Sequence, residues 1–597
     1  MAIFDPAIAL RDMARRHLAA GRRGKVIACL YRGLALVPDR SDLHLELGDM
    51  LRLFGQAAQS VARLRLAVAL DPRNAIALLS LALANRDRGD RAFALSGLDA
   101  AIDLDPTVTM AWLERGNLHR LARRFSEALD DLSRAVVLDP SQANSFALLG
   151  SCLHAMYQPD RAEAVYRRWI DLAPGNARAY RELASTLHSQ GRIMEAEPYW
   201  RRDLELTERA ATRASPAWSG RRLLRDVMPT TRIGEIAKML DIHVKTGKLG
   251  WRPDFRAVMA GNLTAYSNLT FLDYWKPHVD IVTEPAEVRQ VFGDPRRAEQ
   301  PTRATRIGDG RVLHGDYAWH AVQTAWEAEG YGPVLSLKPE HAEHARHVLM
   351  ARGMPADAWF VAFHIRESGF YRENYESARS CRAESYIPAI ERIHAHGGWV
   401  CRMGDPAMAP LPALPNFIDI TQFEPRDEAL DLFLIAAARF LVCTLSGPTS
   451  MAVCFGTPQL QTNAYPITER AWCSGDRFMP KLYRDLSTGR PIPFGRSIGC
   501  KVVVNDHVQT LRRLGYEVID NTAEEIVDAV EDMLSLTANR NPDDDDTQQL
   551  QDRYDNCCRP KLPIFCSRIA GSFIRRHAAL LDDACVPNAF ALPESRT

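Results

Sequence analysis

Two short polar segments in the second half of the chain have residue types suited to binding a diphosphate. One is His364-Ile365-Arg366, directly after the apolar run 359–363, and the other is the turn 446–450, two residues after the apolar run 440–443. A guanidinium is always charged and can contact two phosphate oxygens at once, while a serine-glycine-proline turn that opens a helix presents hydroxyls and backbone amides. Such groups would stabilise the negative charge that develops on a leaving diphosphate, without a metal ion.

Two further segments add candidate residues. After a predicted strand at 399–401, Arg402 either assists the diphosphate or pairs with Asp405, and Asp405 either accepts from a ribose or sugar hydroxyl or has no role. Much earlier, Gly234-Glu235 opens a helical pattern, where Glu235 either acts as a base on an acceptor hydroxyl or complements the helix dipole. The candidate catalytic residues are Glu235 and Arg366, and the candidate binding residues are His364, Arg366, Arg402, Gly404, Asp405, Ser446, Gly447, Pro448, Thr449 and Ser450.

These residues would converge only if the strands that precede them end at one edge of a sheet. The apolar runs are short and continuous, which is typical of strands buried on both faces of a parallel sheet. Helical patterns at 386–396 and 427–438 lie between them, so the order alternates strand and helix as in a doubly wound domain. Ligands of such domains bind outside the carboxyl ends of the strands. The predicted strands are 359–363, 399–401, 416–420, 440–443 and 459–461.

The flanking segments complete this part of the chain. A polar hinge is predicted at 215–222, and a second α/β region extends from there to about residue 352, with strands at 279–282 and 334–337. Asn521 and Thr522 both have capping-box spacing to a glutamate, so they predict the start of a helix at 523. A final amphipathic helix is predicted at 563–581. The predicted domains are 1–214, 223–352, 353–540 and a helical tail at 547–597.

The first third of the chain is a repeat array. Prolines recur at a strict interval of 34 residues, and small residues that allow two helices to approach closely follow the same step. The pattern resembles the tetratricopeptide repeat over roughly residues 7–210 and predicts an α-solenoid that holds a protein or peptide, joins two chains or acts as a spacer. The two columns are Pro38, Pro72, Pro106, Pro140 and Pro174, and Gly48, Ala82, Gly116, Gly150 and Ala184.

Composition limits the class of protein. Lysine plus arginine and aspartate plus glutamate are equal at 74 each, so no global field would recruit nucleic acid. We found neither a signal-peptide pattern nor an uncharged apolar span long enough to cross a membrane, so we expect a cytoplasmic location. The 12 cysteines are scattered, which predicts reduced thiols rather than a zinc site or a disulfide framework. The high alanine and arginine content suggests a bacterial source.

Several motifs together resemble a bacterial family of glycosyltransferases that often carry tetratricopeptide repeats. The resemblance covers about residues 225–580 and implies a GT-B fold, in which two Rossmann-like domains face each other and the second holds the nucleotide-sugar donor. The His-x-Arg is similar to the motif of fucosyltransferases whose arginine contacts the donor diphosphate, and segment 446–458 is similar to the phosphate loop of heptosyltransferases. The motifs are 232–235, 364–367, 397–405, 446–448, 455–458 and 520–526.

The chain departs from these families at two positions. Ser450-Met451 stands where a heptosyltransferase loop would carry a histidine, and Gly234-Glu235 stands where the resembling family often has glycine-histidine. The identity of the base is therefore open, and His364 either orients Arg366 or contacts the donor. We expect an inverting, metal-independent transferase that uses a nucleotide-diphosphate sugar as its substrate and needs no cofactor. The alternatives are a non-catalytic repeat scaffold with degenerate Rossmann domains and a sugar-nucleotide epimerase.

Overall fold

The chain divides into two compact units, Met1–Thr186 and Leu187–Thr597. Among the residues that the structure describes, no helix combines the length and the apolar composition that a membrane span requires. The structure is a computed structural model that describes residues 6–156, 158–212, 221–225, 233–252, 256–260, 268–284, 286–287, 299–301, 304–367, 376–467, 470–498, 507–558 and 567–581.

The first unit consists of paired helices of the tetratricopeptide type, as the 34-residue step predicts. The small-residue column lies where the two helices of a pair touch: a Cβ added at Gly48 would lie 2.4 Å from Leu64 Cγ, and one at Gly150 would lie 2.3 Å from Tyr166 Cε1. Only a small side chain permits this approach. The helices are α1 (Pro6–Ala19), α2 (Arg23–Leu36), α3 (Ser41–Leu53), α4 (Ala57–Leu70), α5 (Ala75–Asp87), α6 (Arg91–Leu104), α7 (Thr109–Leu121), α8 (Phe125–Leu138), α9 (Ala143–Ala155), α10 (Pro159–Leu172), α11 (Ala177–Ser189) and α12 (Ile193–Thr212).

The first unit ends at Thr186, within α11, so the last helix listed, α12, belongs to the second unit. Glu197 on α12 accepts a 2.9 Å hydrogen bond from the backbone N–H of Val312, and the ring of Trp200 lies 5.4 Å from that of His314. Of the predicted hinge 215–222, residues 215–220 lie outside the described residues, while Arg221 and Arg222 belong to a strand.

A four-stranded parallel sheet begins the α/β part, with strand order β3-β2-β1-β4. The strand predicted at 279–282 is confirmed. The strand predicted at 334–337 is wrong: this run pairs with no strand among the described residues, and the N–H of Leu335 instead donates to the carbonyl of Cys454 over 2.9 Å. The elements are β1 (Arg221–Arg225), α13 (Ile233–Lys248), β2 (Arg256–Ala260), α14 (Leu269–Trp275), β3 (Val279–Val282), β4 (Glu299–Pro301), the antiparallel hairpin β5 (Ala304–Arg306) and β6 (Val312–His314), α15 (Gly315–Ala328) and α16 (Pro339–Met350).

A seven-stranded parallel sheet follows, and its five predicted strands are confirmed within one to three residues at their ends. The sheet order is β15-β12-β11-β10-β7-β8-β9, so the direction of winding reverses between β7 and β10. The strands are β7 (Phe360–His364), β8 (Trp399–Arg402), β9 (Phe417–Asp419), β10 (Leu441–Cys443), β11 (Gln459–Ala464), β12 (Arg477–Pro480), the antiparallel hairpin β13 (Leu482–Asp485) and β14 (Tyr516–Ile519), and β15 (Arg568–Ile569).

Helices cover both faces of this sheet, which explains why β7 is apolar at nearly every position. Val361 and Phe363 pack into the core on one face, and Phe360 and Ala362 pack into the core on the other, which includes residues of α13. A strand buried on both faces has no alternation of polar and apolar residues. The helices are α17 (Ile387–Ala395), α18 (Glu428–Ala437), α19 (Gly447–Phe455), α20 (Phe494–Ile498), α21 (Val508–Arg513), α22 (Ala523–Leu536), α23 (Asp545–Cys558) and α24 (Gly571–Arg576).

Two predictions near the C-terminus have different outcomes. Thr522 forms the capping box of α22 with Glu525, whereas Asn521 accepts a hydrogen bond from the N–H of Asn463 over 2.6 Å. The continuous helix predicted at 563–581 is wrong in its described part. Arg568 and Ile569 instead form β15, which adds to the edge of the sheet beside β12, and helix begins only at Gly571.

Candidate functional site

The two segments singled out by their chemistry meet where the strand order reverses. Strands β7 and β10 are neighbours in parallel register, with His364 opposite Cys443. Beyond the strand ends, the His364 Nδ1 and Ser446 Oγ atoms are hydrogen-bonded at 3.0 Å, and the backbone N–H of Arg366 donates to Thr444 Oγ1 over 2.9 Å. His364 and Arg366 are therefore held beside the turn that opens α19.

Ser446 occupies the N-cap position of α19 but does not cap the helix with its side chain. Serine is among the preferred capping residues because its oxygen accepts from the first backbone amides. Here that oxygen bonds to His364 instead, while Thr449 Oγ1 donates to the Ser446 carbonyl over 2.5 Å. Ser446, Gly447 and Pro448 are half-buried, so the amino end of this helix can be reached by a ligand.

His364 is a neutral imidazole at neutral pH. Its pKa is lowered to about 4, chiefly by burial and in smaller part by the nearby guanidinium groups of Arg426, Arg366 and Arg402. The hydrogen bond to Ser446 Oγ therefore involves an uncharged ring, whose tautomer sets the direction of the bond. This geometry favours a role for His364 in fixing Ser446.

Acid should destabilise the second unit through its buried histidines. Burial lowers their pKa values, so between about pH 6.5 and 4 the unfolded chain binds more protons than the folded one. The free energy of unfolding therefore decreases as the pH falls below 6.5, by up to about 1.4 kcal/mol per pH unit for each histidine. Asp476, whose pKa is raised to about 7 by burial, acts in the opposite direction. The histidines are His188, His243 and His320, each with a pKa of about 3, and His364.

The measurement is the thermal unfolding midpoint as a function of pH. We expect His364→Gln to make the decline below pH 6.5 shallower than in the wild type. His394 is exposed, so His394→Gln serves as the control and should leave the decline unchanged. Identical pH profiles for all three proteins would show that His364 titrates normally in the folded state.

A helix from the first α/β region reaches the same place. A Cβ added at Gly234, near the start of α13, would lie 2.9 Å from Gly447 Cα and 3.3 Å from Ser450 Oγ. A Cβ added at Gly447 would lie 2.6 Å from Ile233 Cγ2. The amino ends of α13 and α19 thus touch through two glycines. Of the turn that precedes Gly234, Thr230, Thr231 and Arg232 lie outside the described residues.

Gly234→Ala should separate the two helix ends. The added methyl group would meet backbone atoms of Gly447 that cannot move cheaply, and overpacking of this kind costs about 1–3 kcal/mol. We expect a lower thermal unfolding midpoint. The matched control is Gly332→Ala, because a Cβ there meets nothing within 4 Å. If the two variants unfold at the same temperature, the contact between the glycines is not tight in solution.

Glu235 lies in the first turn of α13 and is part of a chain of charges. Its Oε2 atom is 2.9 Å from Lys238 Nζ, which is also 2.6 Å from Asp316 Oδ1. Burial opposes the charge on Lys238, but the two carboxylates outweigh burial and hold its pKa above the usual value. Glu235 is therefore within ion-pair distance of a cation, an arrangement that suits both the dipole-complementing role and a role as base.

Arg402 occupies a different environment from the one predicted. Its side chain is 1% exposed and forms ion pairs with Glu367 Oε2 over 2.6 Å and Asp419 Oδ2 over 2.9 Å. It also donates to the carbonyl of Ala409 over 2.7 Å. The pairing of Arg402 with Asp405 is thus wrong: Asp405 accepts instead from the backbone N–H of Ala407 over 2.8 Å.

The three partners show what Arg402 does. Glu367 follows β7, Arg402 ends β8 and Asp419 ends β9, so one guanidinium ties the carboxyl ends of three adjacent strands together. Such an arrangement favours a structural role. Gly404 lines a cavity of about 10 Å³ beside Thr421 and Asp431, which is room for one water molecule.

Sequence reasoning missed three features near the site. Thr444 accepts from the Arg366 N–H, and the guanidinium of Arg379 donates to the carbonyl of Leu445 over 3.0 Å. The neighbours of Arg379 in the chain, Ala378 and Ser380, line a cavity of about 250 Å³ together with Lys481 and Asp520. Of the three features, only Thr444 had a signal in the sequence, because it is a polar residue directly after a buried strand. The contact of Arg379 and the cavity depend on residues far apart in the chain.

The comparisons with known proteins concern the helical repeats. MamA is 28% identical over 28% of this chain and 97% of its own, with a TM-score of 0.27. YrrB, a TPR protein with an unusual peptide-binding site, is 16% identical over 30% of this chain and 91% of its own, with a TM-score of 0.27. TTC0263, a TPR protein of Thermus thermophilus, is 21% identical over 30% of this chain and 98% of its own, with a TM-score of 0.27. No family model and no curated protein matches the chain.

Proposed function

We propose that the second unit transfers a sugar from a nucleotide-diphosphate donor to an acceptor hydroxyl, with its two parallel sheets as the Rossmann-like halves of a GT-B arrangement. The observation that carries the proposal is the 3.0 Å hydrogen bond between His364 and Ser446, which joins the end of β7 to the start of α19 beside Arg366. Open parallel sheets bind ligands outside the strand ends at the point where the winding reverses.

Three groups there support a diphosphate as the ligand. Arg366 supplies a guanidinium that can contact two oxygens, and the start of α19 supplies the backbone N–H of Gly447, which the Ser446 side chain does not cap. Pro448 has no N–H, and the N–H of Thr449 donates to the Ser446 carbonyl over 3.3 Å. The amino end of a helix also carries positive partial charge. These groups would stabilise the charge on the departing diphosphate, which is the main requirement of sugar transfer from such a donor.

Glu235 is the proposed base. The contact between Gly234 and Gly447 supports this role, because it brings the turn that carries Glu235 against the turn that would hold the diphosphate. Its carboxylate lies 2.9 Å from Lys238 Nζ, and a carboxylate so placed can accept a proton from an acceptor hydroxyl. Direct attack by that hydroxyl would invert the anomeric configuration.

A thermal-shift panel of nucleoside diphosphates tests the proposal. A ligand that binds only the folded protein at about 100 times its Kd adds about 2.7 kcal/mol of stability, so at least one of UDP, GDP and ADP should raise the unfolding midpoint. Release of the nucleoside diphosphate from the matching nucleotide sugar, dependent on an acceptor, would then separate a transferase from an epimerase. Absence of any shift would remove the enzyme proposal.

A second candidate is a non-catalytic scaffold that uses its repeats to hold a protein or peptide partner. The repeat solenoid itself supports it, and so does the engagement of Arg402, a predicted donor-binding residue, by two carboxylates. A chain that binds a partner protein but no nucleoside diphosphate would fit this candidate and exclude the transferase.

A further inference from the structure

The first helices of successive repeats carry a basic column that the proline and glycine columns do not reveal. At the same position of successive repeats, one every 34 residues, stand Arg52, Arg86, Arg120, His154 and His188. The first two arginines pair with a carboxylate of the following repeat: Arg52 lies 3.5 Å from Asp87, and Arg86 lies 2.5 Å from Glu114. Each of these ion pairs therefore links two adjacent repeats.

This series of ion pairs stops at Arg120. By the spacing of the earlier pairs, its partner would stand at position 148 or 155, where the chain has Leu148 and Ala155. Within the described part of the chain, Arg120 donates a hydrogen bond to the amide oxygen of Asn117 over 2.9 Å. Its Nε atom is buried without a hydrogen-bond partner. A half-buried guanidinium that pairs with no carboxylate among the described residues is costly, because the bond to Asn117 replaces only part of the hydration that burial removes.

The surroundings of Arg120 are rich in donors and apolar groups. Asn117 and Arg120 share one face of α7, and Ser151 and His154 stand at the equivalent positions of the next repeat, on α9. These positions carry an amide, a guanidinium, a hydroxyl and an imidazole. Two apolar side chains of α7 are also exposed, Met110 by 36% and Leu121 by 51%. The groups on this face thus complement a ligand that is both acidic and apolar.

We propose that this face, which we call the Arg120 face, binds a carboxylate-bearing segment of a partner protein, with Arg120 as its anchor. Charge complementarity identifies the occupant: an incoming carboxylate supplies the acid that Leu148 and Ala155 do not, while Met110 and Leu121 contact its apolar neighbours. A nucleic acid fits less well, because a run of phosphates needs several open cations and Arg52 and Arg86 are already neutralised. The proposal is independent of any activity in the second unit.

Fluorescence anisotropy with the full chain tests the proposal. The probe is a short fluorescein-labelled peptide of alternating glutamate and leucine, compared with its glutamine and lysine counterparts and with a single-stranded oligonucleotide. We expect the glutamate peptide to bind most tightly, and Arg120→Gln to weaken it by about tenfold or more. Arg124→Gln, the same change at an exposed arginine on the turn before α8, should leave binding unchanged.

A second variant tests the site without removing Arg120. Ala155→Asp restores the acid at the spacing that Asp87 has from Arg52, so it should neutralise Arg120 and weaken the glutamate peptide to a similar extent. Ala155 is exposed, so the change fits, and Ala155→Asn is the uncharged control that should bind normally. The proposal is overturned if the wild type binds no glutamate peptide, if Arg120→Gln or Ala155→Asp binds it as the wild type does, or if the oligonucleotide binds more tightly.

Discussion

Arg366→Ala should abolish most of the transfer activity while the protein remains folded. Removing one key donor to a developing anion costs about 3–4 kcal/mol of transition-state stabilisation, which corresponds to a loss of roughly 10²–10³ in rate. The backbone N–H of Arg366 bonds to Thr444 whatever the side chain, so the strand end should keep its conformation. The measurement is release of nucleoside diphosphate from the nucleotide sugar that stabilises the wild type.

Two further variants separate loss of a phosphate ligand from general damage. Arg366→Lys keeps the charge but not the planar fork, so it should retain part of the activity. Arg382 lies in the segment that continues from the same strand end, and its side chain is 82% exposed, so Arg382→Ala should behave as the wild type. Full turnover in Arg366→Ala would refute a diphosphate site at the end of β7.

Arg402→Met should produce the largest loss of stability. It leaves Glu367 and Asp419, each with a side chain only 14% exposed, without their shared cation. Removing one partner of a buried ion pair typically costs about 3–5 kcal/mol, because the remaining charge is buried and uncompensated. We expect a lower midpoint of urea unfolding for Arg402→Met than for any of the other variants.

The pH dependence of this loss tests its electrostatic cause. Burial raises the pKa of Glu367, and Arg402 opposes that rise in the wild type. Without Arg402, the pKa of Glu367 should rise further, so the deficit should shrink as the pH falls and Glu367 takes up a proton. Combining Arg402→Met with Glu367→Gln and Asp419→Asn should recover much of the stability at neutral pH. A deficit that does not change with pH would indicate lost packing instead.

The repeat array and the second sheet were predicted well because their signals are local. Residues 34 apart occupy equivalent positions in a solenoid, so packing against the next repeat imposes the same small residue in each unit. A parallel strand buried on both faces, such as β7, is apolar at nearly every position, and this run is visible in the sequence alone. The joint placement of His364 and Ser446 followed from one rule, that parallel strands end at a common edge.

The failures have a common cause as well. The run 334–337 is apolar because it packs against the helix that contains Cys454, and apolarity alone does not distinguish a strand from a buried connection. Arg568 and Ile569 form a strand because the edge of β12 is open to them, which overrides the helical spacing of the surrounding residues.

Residue types, their periodicity and the order of strands and helices were thus enough to specify the repeats, the parallel sheet and the edge where a ligand would bind. Which residues face a ligand and which hold the frame was settled only by the folded chain. Arg402 became a structural clamp because folding brings Glu367 and Asp419 within 3 Å of it. Gly234 contacts Gly447 because folding packs the start of α13 against the start of α19. Contacts between residues so far apart depend on how whole elements pack, and no local pattern in a single chain records that.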